Sequence, residues 1–534
     1  MCRMRTGPVT DSPRGTIGIA ARGHDAAART VERSHMIRSQ VRRALLLFAV
    51  IGLSPSLGAA VQAPPAIAAP SLAPADWDAQ VKLKEAVDHN PDPRIVEIDI
   101  VARVADVDIA PGKRVKAWTY DGGLPGPLIR VHVGDRLIVH FTNQLPQETT
   151  IHWHGVRVPI TMDGVPGISQ DEVEQGKSFT YDFTVPDAGL YWYHPHVQSA
   201  AQVGFGLYGA LLVEDPAEAT TVGVPDEVTL VLSDIGFDDA GTLDDPDNGD
   251  STGMVFGREG TYVLVNGKTR PTLRARSGAP QRWRVVNAAK SRFFVLNMDG
   301  FVFTIIGSDG GLQESATTTE QVLITPGERV DLIVTPTGAP GTELVVRSML
   351  HNRGYGSFFR NVEDVLAVRI SDDPPAPKVA LPKVTRTIMA PPIAGATHVP
   401  MTLTLPPIDW KGHNEFQVNG VPFWKSTPYL AKIGETQIWV VKNDTDWDHP
   451  FHLHGFFFIP LDEHDQPIHP MGWKDTVNIP QRTTARLLVQ FNERPGTWMF
   501  HCHILDHAEG GLMGHVQVGP VAAEHMHLEE PKPR

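Results

Sequence analysis

The chain of 534 residues contains only two cysteines, Cys2 and Cys502. Cys2 lies in an N-terminal segment that we expect to be removed, so no disulfide is expected within the mature chain. The one remaining thiol is free to bind a metal.

Charged residues are also scarce, at 20% of the chain, and the formal net charge is −14. Arginines outnumber acidic residues in the first 60 residues, so the rest of the chain is more acidic still. This balance disfavours nucleic acids and anionic membranes as partners. Apolar runs long enough for a permanent membrane span are missing, so stable membrane insertion is not expected.

The N-terminal region has the layout of an export signal. Residues 36–63 start with several arginines, continue into an apolar run over 44–53 and end in small residues. The adjacent Arg42 and Arg43 also fit a twin-arginine signal, although paired arginines occur in ordinary export signals too. We therefore expect an exported protein that is periplasmic or secreted.

Glycine and proline are abundant, with 48 and 45 residues, and they separate short alternating apolar segments. This pattern is typical of β-strands. We predict an all-β chain with three consecutive Greek-key β-sandwich domains. The predicted order is a disordered upstream extension (1–35), the export signal (36–63), a disordered lead-in (64–90), domain 1 (91–216), domain 2 (225–372), a linker (373–395), domain 3 (396–520) and a tail (521–534).

The first and third runs of strands repeat one another. VGDRLIVHFTNQLPQETTIHWHG resembles IGETQIWVVKNDTDWDHPFHLHG, which matches Asn143 with Asn443. The middle run has a similar strand order but lacks a His-X-His pair. Metal ligands are therefore expected only in the outer two domains, and they have to meet at the interface between them.

Three adjacent residues near the C terminus, His501, Cys502 and His503, are predicted to serve two metal sites. Along an extended strand, successive side chains point to opposite faces, so the two histidines share one face and the cysteine takes the other. A thiolate with imidazoles suits copper. For this segment alone, a zinc site or a core cysteine between chance histidines is the alternative. Three further pairs argue against it: His152 and His154, His194 and His196, and His452 and His454.

The motifs HWHG, HPHV, HPFHLHG and HCHILDH together resemble those of three-domain multicopper oxidases, the laccase-like family built from cupredoxin domains. The resemblance covers roughly residues 90–520 and implies four coppers per chain. The implied ligands of the type 1 copper are His449, Cys502 and His507, and those of the type 2 copper are His152 and His452. One type 3 copper is implied to bind His154, His194 and His503. The other is implied to bind His196, His454 and His501.

The resemblance also implies roles for residues around the coppers. Cys502 passes electrons to the three-copper cluster through its flanking histidines. Asp163 matches an acidic residue that passes protons to the cluster, although an Asp before a Gly is also typical of a turn. The axial position of the type 1 copper falls on Leu512, which cannot ligate and would raise the reduction potential. A shift of one residue would make Met513 the ligand instead.

The function implied by the resemblance is that of a laccase-like oxidase. It would oxidise a small phenolic or aromatic-amine donor and reduce dioxygen to water, and we expect it to be a monomer. A cuprous oxidase in envelope copper tolerance is the alternative, but the 13 methionines are scattered rather than clustered. A non-catalytic envelope scaffold is disfavoured because no ligand is missing. The segments 238–253 and 351–359 could lie over a site, although such loops are more often plain surface loops.

Overall fold

The structure is a computed structural model, and it describes residues 81–238, 241–246, 250–354, 361–378, 380–381, 383, 386–408 and 414–520. Cys2, the predicted extension and export signal, the lead-in up to residue 80 and the C-terminal tail lie outside the described residues. The described chain forms six β-sheets, arranged as three sandwiches in chain order. The predicted fold class, all-β with three cupredoxin-like domains, is confirmed.

The first sandwich contains two four-stranded sheets, with strand orders β2-β1-β4-β6 and β3-β8-β7-β5. Its elements are β1 Ile95–Ala110, β2 Lys113–Tyr120, β3 Ile129–His132, β4 Arg136–Asn143, β5 His152–His154, β6 Ser178–Thr184, β7 Gly189–His194, helix α1 Ser199–Gly204, β8 Gly209–Glu214 and helix α2 Pro216–Val222. A 3₁₀ turn covers Ile160–Met162.

The second sandwich pairs a six-stranded sheet, β10-β9-β12-β17-β14-β15, with a five-stranded sheet, β11-β19-β18-β13-β16. Its elements are β9 Glu227–Ile235, helix α3 Asp250–Phe256, β10 Tyr262–Val265, β11 Thr272–Ala275, β12 Gln281–Asn287, β13 Phe294–Met298, β14 Phe303–Ser308, β15 Gly311–Thr319, β16 Gln321–Ile324, β17 Arg329–Val334, β18 Glu343–Ser348 and β19 Glu363–Ile370.

The third sandwich has two five-stranded sheets, β21-β20-β23-β27-β25 and β22-β29-β28-β24-β26. Its elements are β20 Thr397–Thr404, β21 Gln417–Val418, a 3₁₀ turn Phe423–Lys425, β22 Tyr429–Ala431, β23 Glu435–Asn443, β24 His449–Leu453, β25 Phe458–Leu461, β26 Thr476–Ile479, β27 Thr484–Phe491, β28 Gly496–Cys502, helix α4 Leu505–Glu509 and β29 Met513–Val518. None of the helices in the described ranges is long and apolar enough to cross a membrane.

The strands follow the alternation of the sequence. In β4 the side chains of Leu137, Val139 and Phe141 are fully buried, whereas Arg136 and His140 are exposed. Apolar residues at every second position place one face of the strand in the core of the sandwich. Burying each such side chain contributes about 2 kcal/mol to folding.

A buried asparagine recurs at the end of one strand in each domain and confirms the internal repeat. Asn143, Asn287 and Asn443 end β4, β12 and β23, and each of these strands pairs in parallel with the first strand of its domain. In the middle domain, Nδ2 of Asn287 donates to the backbone oxygens of Arg292 and Ile324 at 2.8 and 2.9 Å. The other two asparagines make the same kind of contacts. The asparagine closes the loop that follows the strand.

The lead-in expected to be disordered through residue 90 is ordered over its described part, and this expectation needs correction. The backbone N–H of Leu128 donates to Lys84 O at 2.8 Å, and that of Ala86 donates to Leu128 O at 2.9 Å. Val81 is buried in the core of the middle domain. An Ala/Pro-rich composition does not reveal such pairing, because the partner lies elsewhere in the chain. The end of the predicted linker also packs, since Ile388 is buried against the third domain.

We predict that Asn287→Ala lowers the free energy of unfolding of the copper-free protein by about 3 kcal/mol, because two carbonyls and one N–H lose a buried partner. The hydrogen-bond partners of the Asn287 side chain include none of the predicted ligands, so the folded variant should still bind copper. The midpoint of denaturant unfolding measures the effect. Asn297→Ala is the control, because Asn297 lies in the same domain and is partly exposed; equal shifts for both variants would contradict the prediction.

Candidate metal centres

The structure brings His449, Cys502 and His507 together in the third domain. Cys502 Sγ lies 3.4 Å from His449 Nδ1 and 3.7 Å from His507 Nδ1, and the two nitrogens are 3.2 Å apart. His449 begins β24, Cys502 ends β28, and His507 lies in the short helix α4 that follows. Two imidazoles and one sulfur therefore converge on one point, as in a trigonal His₂Cys copper site.

Leu512 and Met513 occupy different sides of this segment. Leu512 belongs to the same hydrophobic cluster as Cys502, and its backbone oxygen accepts a hydrogen bond from Cys502 N at 3.1 Å. Met513 lies opposite His501 in the ladder of β28 and β29. Since cross-strand partners share a face, the Met513 side chain lies on the face of His501 and away from Cys502.

Burial sets the protonation state of the three groups. Burial lowers the pKa of His507 to about 3, helped by the positive charge of Arg353. Burial, with His507 nearby, holds the pKa of His449 well below its usual value. It also raises the pKa of the Cys502 thiol. Both imidazoles are therefore in the neutral form that binds metal, and a bound metal would displace the thiol proton.

The outer nitrogens of both imidazoles are covered by protein. His449 Nε2 lies 2.7 Å from Thr445 Oγ1, and His507 Nε2 lies 3.0 Å from the backbone oxygen of Val255. Because a carbonyl only accepts, His507 donates through Nε2–H. Val255 is fully buried in α3, and both histidines are fully buried too. Helix α3 thus separates the Cys502 site from solvent at His507.

Two segments that were expected more often to be plain surface loops pack near this site in their described parts; residues 239–240, 247–249 and 355–359 lie outside the described residues. Helix α3 begins inside the first of them. In the second, the backbone oxygen of Arg353 accepts from Asp448 N at 2.8 Å, and His351 Nε2 lies 2.9 Å from Asp448 Oδ2. The apolar residues 254–256 that follow the first segment are the one sequence signal for this packing.

Eight histidines form a second cluster between the first and third domains, and all of them except the partly buried His196 are buried. Strand pairing sets His152 opposite His194 and His452 opposite His501. Ligand atoms within 4.8 Å of one another define three groups of histidines. The groups are His152, His154 and His452; His154, His194 and His503; and His196, His454 and His501. The structure therefore brings all eleven predicted ligands into two clusters.

Hydrogen bonds orient these rings. Nδ1 of His152, His194 and His501 lies 2.7–2.9 Å from the backbone oxygens of Asp163, Pro195 and Cys502, respectively. Carbonyl oxygens only accept, so each of these Nδ1 atoms carries the proton. The other nitrogen of such a ring is then free to bind a metal. Burial and neighbouring imidazoles also lower the pKa of His194 and His501 well below the usual value, so both rings stay neutral.

Several ring nitrogens in the cluster are buried and have no hydrogen-bond partner among the described residues: His152 Nε2, His154 Nδ1, His194 Nε2, His452 Nε2 and both nitrogens of His503. A buried polar atom without a partner costs about 1–3 kcal/mol. The nitrogens belong to imidazole rings that surround one volume. This donor set fits copper ions, because imidazole is one of the ligands that copper prefers.

The structure places Asp163 beside the cluster, where it is 1% exposed. Its Oδ2 lies 2.8 Å from His454 Nδ1. Burial opposes ionisation of Asp163, but His454 and His152 outweigh it and hold the pKa of this carboxyl well below its usual range. The following Gly164 has a φ of +78°, and a Cβ there would lie 1.9 Å from Ile151 O. Asp163 thus has the predicted turn setting and also contacts a predicted ligand.

Two further residues of the site were missed by the sequence analysis. Asp475 Oδ1 lies 3.2 Å from His154 Nε2, and Thr476 Oγ1 lies 3.1 Å from His452 Nδ1. Both are fully buried where β26 begins beside β24. The sequence carries no signal for them beyond a polar pair at the start of an apolar segment.

Comparisons with known proteins agree with this arrangement. Family profiles described as Multicopper oxidase match residues 102–218, 226–356 and 394–522. A multicopper oxidase of Mycobacterium tuberculosis is 31% identical over 463 residues, which cover 78% of this chain and 86% of that protein. A laccase of Bacillus subtilis is 26% identical over 461 residues, which cover 74% and 89%. The structure of a multicopper oxidase from Campylobacter jejuni, titled a metallo-oxidase, has a TM-score of 0.72 at 27% identity and covers 82% of this chain and 94% of its own.

Three cupredoxin-like sandwiches with a buried His₂Cys site and an interdomain histidine cluster define a copper-dependent oxidoreductase. The chain belongs to the multicopper oxidase family.

We predict that Cys502→Ser abolishes the intense visible absorption of the copper-loaded protein, because that colour arises from copper–thiolate bonding. The histidine cluster should keep its copper, so that the variant binds one copper fewer than the parent. The visible spectrum and the copper content per chain measure the two effects. Thr497→Ser on the same strand is the control and should keep the colour. A Cys502→Ser protein that remains blue would show that the sulfur is not a ligand.

Proposed function

We propose that the protein is a laccase-like oxidase that couples one-electron oxidation of phenolic or aromatic-amine donors to the four-electron reduction of dioxygen to water. The observation that supports this most directly is the position of Cys502 between two histidines of the other cluster. His501 Nε2 lies 3.1 Å from His454 Nε2, whereas Cys502 Sγ lies among His449 and His507. The backbone of these residues gives electrons a short covalent path from one site to the other.

In this proposal each chain binds four coppers. The type 1 site consists of His449, Cys502 and His507, the type 2 site of His152 and His452, and the type 3 pair of the remaining six histidines. The unpartnered ring nitrogens and the 4.8 Å grouping of ligand atoms support this division. Bound copper would store single electrons and supply the redox chemistry that reduces dioxygen.

Asp163 is proposed to hand protons to the cluster, since reduction of dioxygen to water consumes four of them. Its carboxylate is buried and 2.8 Å from His454 Nδ1, so it is close to the reacting volume. Its Oδ1 makes no hydrogen bond and lies 3.4 Å from His152 Nδ1. The carboxylate can take up a proton only in passing, and its low pKa favours release of that proton towards the cluster. Cys502 and Asp163 are thus the proposed residues for electron and proton delivery.

Leu512 is the proposed axial neighbour of the type 1 copper. Its place in the same apolar cluster as Cys502 supports this, and so does the opposite orientation of Met513. A leucine cannot donate to Cu(II), and the oxidised state is therefore less stabilised than with a thioether. The reduction potential should then be high.

A cuprous oxidase is the second candidate, and one observation favours it. His507 Nε2 is bound to the backbone of Val255 and the ring is fully buried, so a bulky phenol cannot touch it directly. The relative from Campylobacter jejuni is titled a metallo-oxidase. A small metal ion is less restricted by the cover than an aromatic donor is.

The export pattern of residues 36–63 supports a periplasmic or secreted protein, and the paired arginines support a twin-arginine route. The proposed active unit is a monomer, because one chain supplies every predicted ligand. Its partners would be a small reducing substrate and dioxygen.

Oxygen uptake by copper-loaded protein distinguishes the donors. With a simple phenol we expect one dioxygen consumed for every four one-electron oxidations and no release of peroxide, because the cluster delivers the full set of electrons. The same measurement is repeated with Cu(I) as the electron donor. Cys502→Ser, which we expect to be inactive, is the control. Rapid oxidation of Cu(I) with negligible turnover of the phenol would replace the first candidate by the second. An absence of oxygen uptake with either donor would contradict both.

We predict that Asp163→Asn slows reoxidation of the fully reduced enzyme by dioxygen about 100-fold, because an amide cannot carry a proton to the cluster. Reduction of the type 1 copper by donor should be unaffected, and so should the visible band. Stopped-flow absorbance separates the two half-reactions. Asp171→Asn, at an exposed aspartate of the same domain, is the control. Equal rates for Asp163→Asn and the parent would remove Asp163 from the mechanism.

A further inference from the structure

The middle domain carries none of the predicted ligands, yet one of its turns reaches the histidine cluster. The turn joins β16 to β17 and contains Gly327, which has a φ of +86°. A Cβ at this position would lie 2.9 Å from the ring of His503 and 3.0 Å from Cε1 of His154. Only a residue without a side chain allows the turn to approach so closely. This close approach places the start of β17 next to the histidine cluster.

Arg329, the first residue of β17, is 2% exposed and binds all three domains. Its Nε donates to Leu190 O in the first domain at 3.1 Å. Its Nη1 donates to Gly327 O at 2.9 Å and to Asp475 Oδ1 in the third domain at 2.7 Å. Its Nη2 donates to Asp309 O at 3.1 Å and also to Asp475 Oδ2. All five N–H groups of the guanidinium are therefore used.

Asp475 transmits this arrangement to two predicted ligands. Its Oδ1 lies 3.2 Å from His154 Nε2 and 3.4 Å from His452 Nδ1, and its backbone oxygen lies 3.0 Å from the same His452 Nδ1. Both carboxylate oxygens of Asp475 accept hydrogen bonds from the guanidinium of Arg329, which is always charged, so the pair is an ion pair. An ionised carboxylate only accepts hydrogen bonds, so His154 carries its proton on Nε2.

We propose that Arg329 is a positioning residue for the trinuclear copper site, acting through Asp475. The guanidinium holds both carboxylate oxygens, and the carboxylate and backbone of Asp475 fix the ring and the proton of each histidine. The unprotonated nitrogens, Nδ1 of His154 and Nε2 of His452, are then available to bind a metal. Both are among the buried atoms without a hydrogen-bond partner. This inference rests on the proposed assignment of the histidines to copper. It gives the domain without ligands a part in building the site.

Two neighbouring residues, Gly155 and Asp309, accommodate and anchor the ion pair between Arg329 and Asp475. A Cβ at Gly155, the last residue of HWHG, would lie 2.4 Å from Arg329 Nη2 and 2.6 Å from Asp475 Oδ2. The glycine of this motif therefore leaves the space that the pair occupies. Asp309 adds backbone anchorage, because its Oδ1 accepts from Arg329 N at 2.8 Å and its Oδ2 from Thr476 N at 3.2 Å.

Arg282 provides a matched control in the same domain. It is 3% exposed, and its guanidinium is bound by Asp331 and Glu218. Its residue type, burial and ion pairing therefore resemble those of Arg329. Among the described residues its ion-pair partners are Glu218, Glu227 and Asp331, which lie in the first and middle domains, and none of them is a histidine. Exchanging either arginine for lysine removes the planar guanidinium, which can donate two parallel hydrogen bonds to a carboxylate, but keeps the positive charge.

The experiment compares copper-loaded Arg329→Lys and Arg282→Lys with the parent. For Arg329→Lys we expect weaker binding of the type 2 copper by about 10- to 100-fold, as is typical when a residue behind a metal ligand is changed. The hyperfine splitting of the type 2 signal in electron paramagnetic resonance should change as well. The type 1 visible band should stay. Arg282→Lys should keep the parent's copper content and spectra, even if its unfolding midpoint falls as far.

An Arg329→Lys protein with full type 2 occupancy and an unchanged signal would overturn the inference. The same spectra from both lysine variants would overturn it too. If Arg329→Lys does not fold, Asp475→Asn decides by the same measurements, because it keeps the shape of the side chain but not its charge. A parent protein that binds no type 2 copper would instead contradict the proposed function. The two failures are therefore distinguishable.

Discussion

Both metal centres depend on side-chain alternation along two paired strands, β24 and β28. In this ladder Phe451 lies opposite Cys502, and His452 lies opposite His501. Partners across a pair share a face of the sheet, so the sulfur and His449 fall on one face and the two histidines on the other. A shift of one residue in the register would exchange the faces and destroy both sites at once. Phe451, Leu453 and Phe500 pack with Cys502 in one hydrophobic cluster, and this packing favours the observed register.

Alternation alone does not decide which nitrogen of each imidazole faces a metal. That choice belongs to acceptors outside the strands. Backbone oxygens engage Nδ1 of some rings, whereas the carboxylates of Asp163 and Asp475 engage others. These carboxylates are stable as anions in the interior only because a positive or proton-bearing partner compensates for the loss of water. For Asp475 that partner is Arg329 of the middle domain, so under the proposed assignment all three sandwiches contribute to one site.

The sequence was sufficient for the parts of the structure that follow from local periodicity and from repetition. Alternating apolar segments predicted the sandwiches, and paired motifs predicted that the histidines of the outer domains meet. The sequence showed Gly155 only as part of the HWHG motif and did not predict its structural role, because that role depends on an ion pair between residues 329 and 475. Such contacts join positions far apart in the chain, and no periodic pattern records them. The order of residues 81–90 was missed for the same reason.

The sequence marks the cover over His507 only by the apolar residues 254–256, and this cover affects how an electron donor can reach the proposed type 1 site. Under the proposed assignment, burial and the non-coordinating Leu512 both disfavour the more highly charged oxidised state of the type 1 site. A high potential makes electron transfer from many donors downhill. The cover by α3 restricts which of them can approach, since the ring edge of His507 is bound to Val255 rather than to solvent. Discrimination between donors then rests on access and distance, not on driving force.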